Sequence, residues 1–190
     1  RNTFCWVYGL KNTTEAIRRK KGLSIVIPAA GLGSRMKSYG PKPLIRVGSQ
    51  SLIQRQIEIL RKCFYSPEII LVCGYESYKV MNSTPANIIK VENEKYNETN
   101  VSRSIAIGLR ACTREKVLIV YGDLFFNQET FKNVNLTSSS LFIESSGWMT
   151  KDEVGCNISN KRAQYLIPDI ENKWAQIAYL TEKELNIFKS

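Results

Sequence analysis

Histidine is absent from all 190 residues. Its absence removes Ser-His-Asp and Cys-His nucleophilic arrangements, most catalytic zinc sites, and the general base whose ordinary pKa lies nearest neutrality. No run of about eighteen apolar residues occurs, so no membrane span is expected, and the N-terminus lacks the apolar core of a secretory signal. The cysteines are Cys5, Cys63, Cys73, Cys112 and Cys156, odd in number and nowhere at metal-ligand spacing. They read as free thiols in a reducing, cytoplasmic compartment. The glycine-rich motifs that would settle a nucleotide fold outright are missing too: no Gly-Lys-Ser/Thr closes a Walker loop, and no third small residue completes a dinucleotide fingerprint.

What is present is concentrated in Ser24 to Leu44, SIVIPAAGLGSRMKSYGPKPL. Ile25, Val26 and Ile27 read as a buried strand, being β-branched and bounded by turn residues. Ala29, Ala30, Gly31, Gly33 and Ser34 then form a loop in which the two glycines carry no Cβ to hold a polyphosphate off the backbone. Amide N–H groups of such a loop bind anionic oxygens. Arg35 and Lys42 add two cations of different character, a planar fork and a compact charge on a flexible stem, the second set between Pro41 and Pro43.

Further along, Ser51 with Gln54 makes a capping box for a helix whose Ile53, Ile57 and Leu60 face the core. Ile69 to Val72 reads as a strand ending at Gly74, and a short helix from Glu76 is stopped by Pro85. Ile88 to Val91 is another strand, Val101, Ile105 and Leu109 mark a helix, and Val117 to Tyr121 is a fourth strand. This alternation predicts a Rossmann-like α/β fold: a mostly parallel sheet with helices on both faces, and ligands at the carboxyl ends of the strands. From Ser139 the pattern changes to strand-like runs at Leu141 to Glu144, Val154 to Ile158, Ala163 to Ile167 and Trp174 to Leu180. These predict a small antiparallel insertion near the C-terminus, followed by a helix capped by Thr181 and Glu184 and carrying Leu185 and Phe188.

Net charge is +10, and residues 1–22 hold six cations against Glu15 alone. We read 1–22 as a basic leader, the end of a preceding segment, with Thr14 to Lys21 as a short helix stopped at Gly22. It offers a contact to nucleic acid or a larger assembly. The remainder, 23–190, is one domain, and its mildly positive field suits anionic substrates. The chain opens on Arg1, so a processed or incomplete start is expected.

The motif Ala29-Ala30-Gly31-x-Gly33-x-Arg35, with Pro41-Lys42 a few residues on, resembles the nucleotidyltransferases that join a nucleoside triphosphate to a sugar phosphate or an alcohol phosphate. Asn93-Glu94-Lys95-Tyr96, Asn100 and Ser104-Ile105 resemble the segment that precedes the helix near the nucleotide in that family. Val117 to Asp123 resembles its strand ending in a metal-binding aspartate. The bacterial choline-phosphate cytidylyltransferases are the most similar subgroup, sharing also Asp123-Leu124-Phe125-Phe126. The likeness extends from Leu23 to Phe188. It implies transfer of a nucleoside monophosphate from an NTP, with CTP favoured, to a small phosphorylated acceptor, with Mg²⁺ as cofactor and pyrophosphate released. Lys42 would bridge the α-phosphate region, Arg35 the β/γ end, Gly74, Asn100 and Ser104 the nucleotide, and Asp123 the metal.

Each residue has a plainer reading. Asn100 is an obvious helix N-cap, Ser104 packs, Asp123 starts a turn, and Lys42 is a loop lysine. Trp148 and Trp174 would wall a quaternary ammonium group or simply fill the core. The family's second metal-binding acid, late in the chain, has no match, since Asp169 and Glu171 do not fit its motif. Either a final segment of the domain lies beyond Ser190 or the metal site is incomplete. The second case gives the rival reading, a catalytically incomplete nucleotidyltransferase-like domain serving as a binding or structural module. A glycosyltransferase of related fold would be expected to carry an Asp-x-Asp motif, which is missing.

Overall fold

The structure, a computed structural model, describes residues 4–6, 22–33, 40–132, 134, 136–144, 153–168 and 170–189. Two strands open the chain, β1 (Phe4–Trp6) and β2 (Leu23–Pro28), and β2 is buried along its whole length. A strand without a solvent face needs cover on both sides. Leu23, Ile25 and Ile27 accordingly enter one apolar cluster and Val26 the other.

A 3-10 turn at Lys42–Leu44 and a two-residue-per-strand hairpin, β3 (Arg46–Val47) and β4 (Gln50–Ser51), lead into helix α1 (Leu52–Cys63). The predicted capping box is formed: Ser51 N donates to Gln54 Oε1 at 3.0 Å, and Gln54 N to Ser51 Oγ at 3.4 Å. Ile53, Ile57 and Leu60 are each no more than 2% exposed, on the face α1 presses against the sheet. There follow β5 (Glu68–Cys73), α2 (Ser77–Asn82), β6 (Ile89–Glu92), α3 (Val101–Ala111) and β7 (Lys116–Val120). β2 pairs in parallel with β5 and β7, and β5 with β6, which is the alternating half read from the sequence.

The antiparallel half consists of β8 (Ser140–Glu144), β9 (Val154–Ser159), β10 (Arg162–Pro168), β11 (Lys173–Thr181) and helix α4 (Glu182–Lys189). Its strands do not form a detached sheet. β11 pairs antiparallel with both β7 and β8, β8 with β1, and the β9–β10 hairpin joins through β11. The resulting order is β1-β8-β11-β7-β2-β5-β6. Residues of α1 and α2 cover one face, those of α3 and α4 the other.

Two of the apolar residues that mark these helices face out: Val101 is 39% exposed and Phe188 57%. On α3 the inward stripe is Ser104, Gly108 and Leu109. A Cβ on Gly108 would lie 2.4 Å from Val26 Cγ1, so the helix approaches β2 through small residues, while Val101, on the same face but in the first turn, opens onto the cleft described below. The predicted helix at Thr14 to Lys21 lies outside the described residues. Among the described residues no helix is long and apolar enough to cross a membrane.

Glu68 ties the starts of β2 and β5 to the turn before β7. Its carboxylate accepts from Ser24 Oγ, from Thr113 Oγ1 at 2.6 Å and from Thr113 N at 3.0 Å. Burial pushes this carboxyl up, but the bonds from Ser24 and Thr113, with Arg114 nearby, outweigh it and hold the pKa below 4.5. A lowered folded pKa stabilises above the unfolded value and loses that stability as pH falls through the folded one. Glu68→Gln should therefore cost about 1.5–3 kcal/mol at neutral pH, a deficit that shrinks in urea melts below about pH 4.

Candidate functional site

β2, β5, β7 and β6 run in parallel, so their carboxyl ends share one edge of the sheet. The segments that follow β2, β6 and β7 meet there around a cleft of about 240 Å³. Backbone bonds fix the first of these segments on both sides. Ala29 N donates to Val72 O at 2.8 Å, Tyr75 N to Ala30 O at 3.1 Å, and Gly122 N to Pro28 O at 3.0 Å.

Ala29, Ala30, Gly31 and Gly33 line the cleft as expected of the loop. Gly33 has φ +55°, a conformation glycine adopts without cost. A Cβ on Gly31 would meet nothing within 4 Å, so neither packing nor backbone explains that glycine. Ser34 and Arg35 lie outside the described residues. Gly74 is not in the lining. It is packed beneath it, where a Cβ would fall 2.7 Å from Ala30 O and 2.6 Å from Tyr96 Cβ. Its part is to let β5 carry the loop.

Lys42 begins the 3-10 turn, preceded by Pro41 at φ −63° and followed by buried Pro43. The two prolines fix the backbone from which the flexible side chain reaches out. Its stem crosses Gly33, and its Nζ donates to Asp123 Oδ2 at 3.0 Å. The two residues are 81 positions apart, and both point into the cleft. Their side chains are 36% and 39% exposed, so the pair is screened and worth about 0–1 kcal/mol. It separates readily in favour of a phosphate oxygen or a cation.

Asp123 follows β7 through Tyr121 and Gly122. A Cβ on Gly122 would stand 2.8 Å from Ala29 Cβ and 3.0 Å from Pro28 O, so only glycine lets this turn close against the loop. Tyr121 lines the cleft, its ring edge-on to Trp174 at 5.4 Å. Burial, reinforced by the charge of Asp123, pushes its phenol up to about 12. Trp174 is engaged in this wall, its indole N–H donating to Ile177 O at 3.1 Å. Trp148 lies outside the described residues.

The third side is the start of α3. Asn100 lines the cleft and is also the N-cap, Oδ1 accepting from Ser102 N at 3.1 Å. Ser104 is 3% exposed. Its Oγ accepts from Asn93 Nδ2 at 3.1 Å, and the same amide donates to Thr99 Oγ1 at 3.0 Å. Asn93 N in turn donates to Cys73 O at 2.8 Å. Asn93 thus welds the segment before α3 to the end of β5. Burial, followed by the charge of Glu92, pushes the Cys73 thiol up to about 12; it stays protonated and is no nucleophile.

Residue-level reading missed Thr99, Tyr121, Gly122 and Gln176, all in the lining. Gln176 interrupts β11 with φ +58° where the register to β8 shifts. No local motif marks it. Gly122 had a signal, a glycine directly before a strand-end aspartate.

An α/β sheet with a glycine loop, a lysine, a carboxylate and a helix N-terminus at its carboxyl edge defines a Rossmann-like nucleotide-handling domain. The family profile of the MobA-like NTP transferase domain matches residues 25–136, more than half of the chain, and the chain belongs to that family. It is 32% identical over 116 residues to the bifunctional protein GlmU of Francisella tularensis subsp. novicida (strain U112), covering 60% of this chain and 25% of that protein. The chain therefore spans about a quarter of the length of the curated relatives it matches.

Among solved structures, the CTP:phosphocholine cytidylyltransferase LicC from Streptococcus pneumoniae superposes with TM-score 0.67 at 22% identity, over 88% of this chain and 74% of that one. The inositol-1-phosphate CTP transferase from T. maritima gives TM-score 0.67 at 20% identity, over 90% and 74%. At these identities they establish the shared fold.

The two loop glycines make separable predictions. Gly122→Ala should lower stability by about 1–3 kcal/mol, because the methyl meets backbone and Ala29. Gly31→Ala should leave the melting temperature unchanged yet weaken nucleotide binding by a similar amount. Calorimetric titration with CTP beside thermal melts checks both; a Gly31→Ala variant that binds normally overturns the cradle role.

Proposed function

We propose that the chain transfers a nucleoside monophosphate from an NTP, CTP by preference, to a small phosphorylated alcohol or a sugar 1-phosphate, releasing pyrophosphate. The observation that carries this reading is the convergence of Lys42 and Asp123 at 3.0 Å beside the Gly31–Gly33 loop. The CTP preference is supported by the Asn93 to Ser104 resemblance and by the names of the two cytidylyltransferase-fold relatives.

The acceptor phosphate attacks the α-phosphorus in line and the bond to the leaving pyrophosphate breaks. A phosphate monoester with second pKa near 6 is already ionised at pH 7, so no proton must be removed and no histidine is required. The protein's work is alignment and charge neutralisation. The loop from Ala29 to Gly33 carries the triphosphate against backbone amides, with the positive end of α3 at Asn100 beside it. Lys42 moves from Asp123 to the α-phosphate oxygens, and Arg35 takes the β/γ end.

The donor set suits Mg²⁺, a hard cation that accepts one protein carboxylate and completes its shell with phosphate oxygens and water. Asp123 would hold it, and bound there it would neutralise charge on the phosphates. Among the described residues no group of three His, Cys, Asp or Glu side chains could hold a metal, and Glu171 is exposed outside the cleft lining. The rival reading is a nucleotide-binding module without turnover, since Asp123 is the one acidic residue in the described cleft lining.

Pyrophosphate release with each NTP and a panel of acceptor phosphates separates the two. CTP with an alcohol phosphate should give the highest rate; nucleotide binding with no release from any pair overturns transfer. Lys42→Ala and Asp123→Ala should each lower kcat by about 10²–10³ with melting temperature unchanged.

A further inference from the structure

Gln56, on α1, is 1% exposed, and neither the transfer chemistry nor the family likeness assigns it a task. Its Nε2 donates to two main-chain carbonyls, Tyr121 O at 3.1 Å and Leu124 O at 2.6 Å. Those carbonyls flank Asp123. Its Oε1 is buried with no hydrogen-bond partner. A buried unmatched acceptor is destabilising, and a methionine of similar length would avoid it. Core packing alone therefore does not account for an amide here; its donor half does.

We propose that Gln56 is a positioning residue that clamps the turn at residues 121–124 so that the Asp123 carboxylate is held in the orientation from which it would bind a divalent cation. This rests on the reading of Asp123 as the metal-binding carboxylate. The turn is attached at its start by Gly122 N to Pro28 O and closed by Leu124 N to Tyr121 O at 3.2 Å. From α1, the Gln56 amide reaches the turn's two outer carbonyls. One donor shared between both spans the turn, fixing the direction in which the residue between them points. The helix is a firm base, anchored by its capping box and by Ile53, Ile57 and Leu60. Groups behind a metal-binding side chain typically govern affinity by about 10- to 100-fold.

The test measures Mn²⁺ affinity by electron paramagnetic resonance in the presence of CTP, and CTP affinity in EDTA, for the unaltered protein, Asp123→Asn, Gln56→Met and Gln56→Glu. Gln56→Met keeps length and removes the donor. Gln56→Glu keeps shape and leaves at most one hydrogen for the two carbonyls, so it supplies a second variant should the first not fold. Both should weaken Mn²⁺ by about 10- to 100-fold, with CTP affinity in EDTA unchanged. If Asp123→Asn abolishes Mn²⁺ binding while both Gln56 variants bind normally, the clamp is wrong and the site reading stands. If the Gln56 variants lose CTP affinity in EDTA to the same degree, the role is general packing and the clamp is again wrong. If Asp123→Asn binds Mn²⁺ like the unaltered protein, the metal reading fails and the clamp with it.

Discussion

The site depends on one close approach, that of the segment after β2 to its neighbours on both sides. Ala30 O sits against the chain at Gly74, and Pro28 O against the chain at Gly122, each at a distance a Cβ would violate. The three backbone bonds that join these segments place Ala29 to Gly33 at the same height as Asp123 and the start of α3. Parallel pairing of β5, β2 and β7 supplies the common edge. Move either glycine position outward by a methyl, and the carboxylate and the phosphate loop no longer share a cleft.

On that frame the electrostatics are arranged to be exchangeable. Lys42 and Asp123 meet at 3.0 Å but remain over a third exposed, so their pairing is weak and open to competition from stronger ligands. A buried pair at the same distance would resist separation, because each charge would be stranded without water. In the proposed reaction, half-exposure would let Lys42 leave for a phosphate and Asp123 for a cation without a large penalty. The same logic explains how a histidine-free chain suits nucleotidyl transfer, which asks for movable charge and fixed geometry and no proton shuttle.

The sequence showed most of the fold because its elements announce themselves locally: β-branched runs for the strands, Ser51 and Gln54 for the start of α1, Pro85 after α2. It marked α3 by Val101, Ile105 and Leu109 but did not show that the helix packs through Ser104 and Gly108, where small size matters more than hydrophobicity. It showed the antiparallel insertion but not its partner strands, because pairing partners are invisible in one chain; β11 continues the hydrogen bonding of β7. For the site, glycines and charges within the first motif could be read, and so could the strand-end Asp123. Gln176 and Gln56 could not. One owes its place to a register shift in β11, the other to a helix face that brings residue 56 under residues 121 and 124.

If Asp123, the one carboxylate among the described residues of the cleft lining, holds the proposed cation, it also places a demand on the scaffold. Where several acidic side chains surround a cation, an error in one is absorbed by the others. Where one serves, the cation's position is as good as the turn that carries it. Around Asp123 that turn is held from three directions: Gly122 against Pro28 below, the Tyr121 ring against Trp174 on the β11 side, and the Gln56 amide from α1. These supports come from three elements far apart in the chain and none carries charge. Precision at a charged group is supplied by neutral hydrogen bonds and packing, which keep their strength in the presence of salt and polyphosphate while the Lys42–Asp123 attraction is screened.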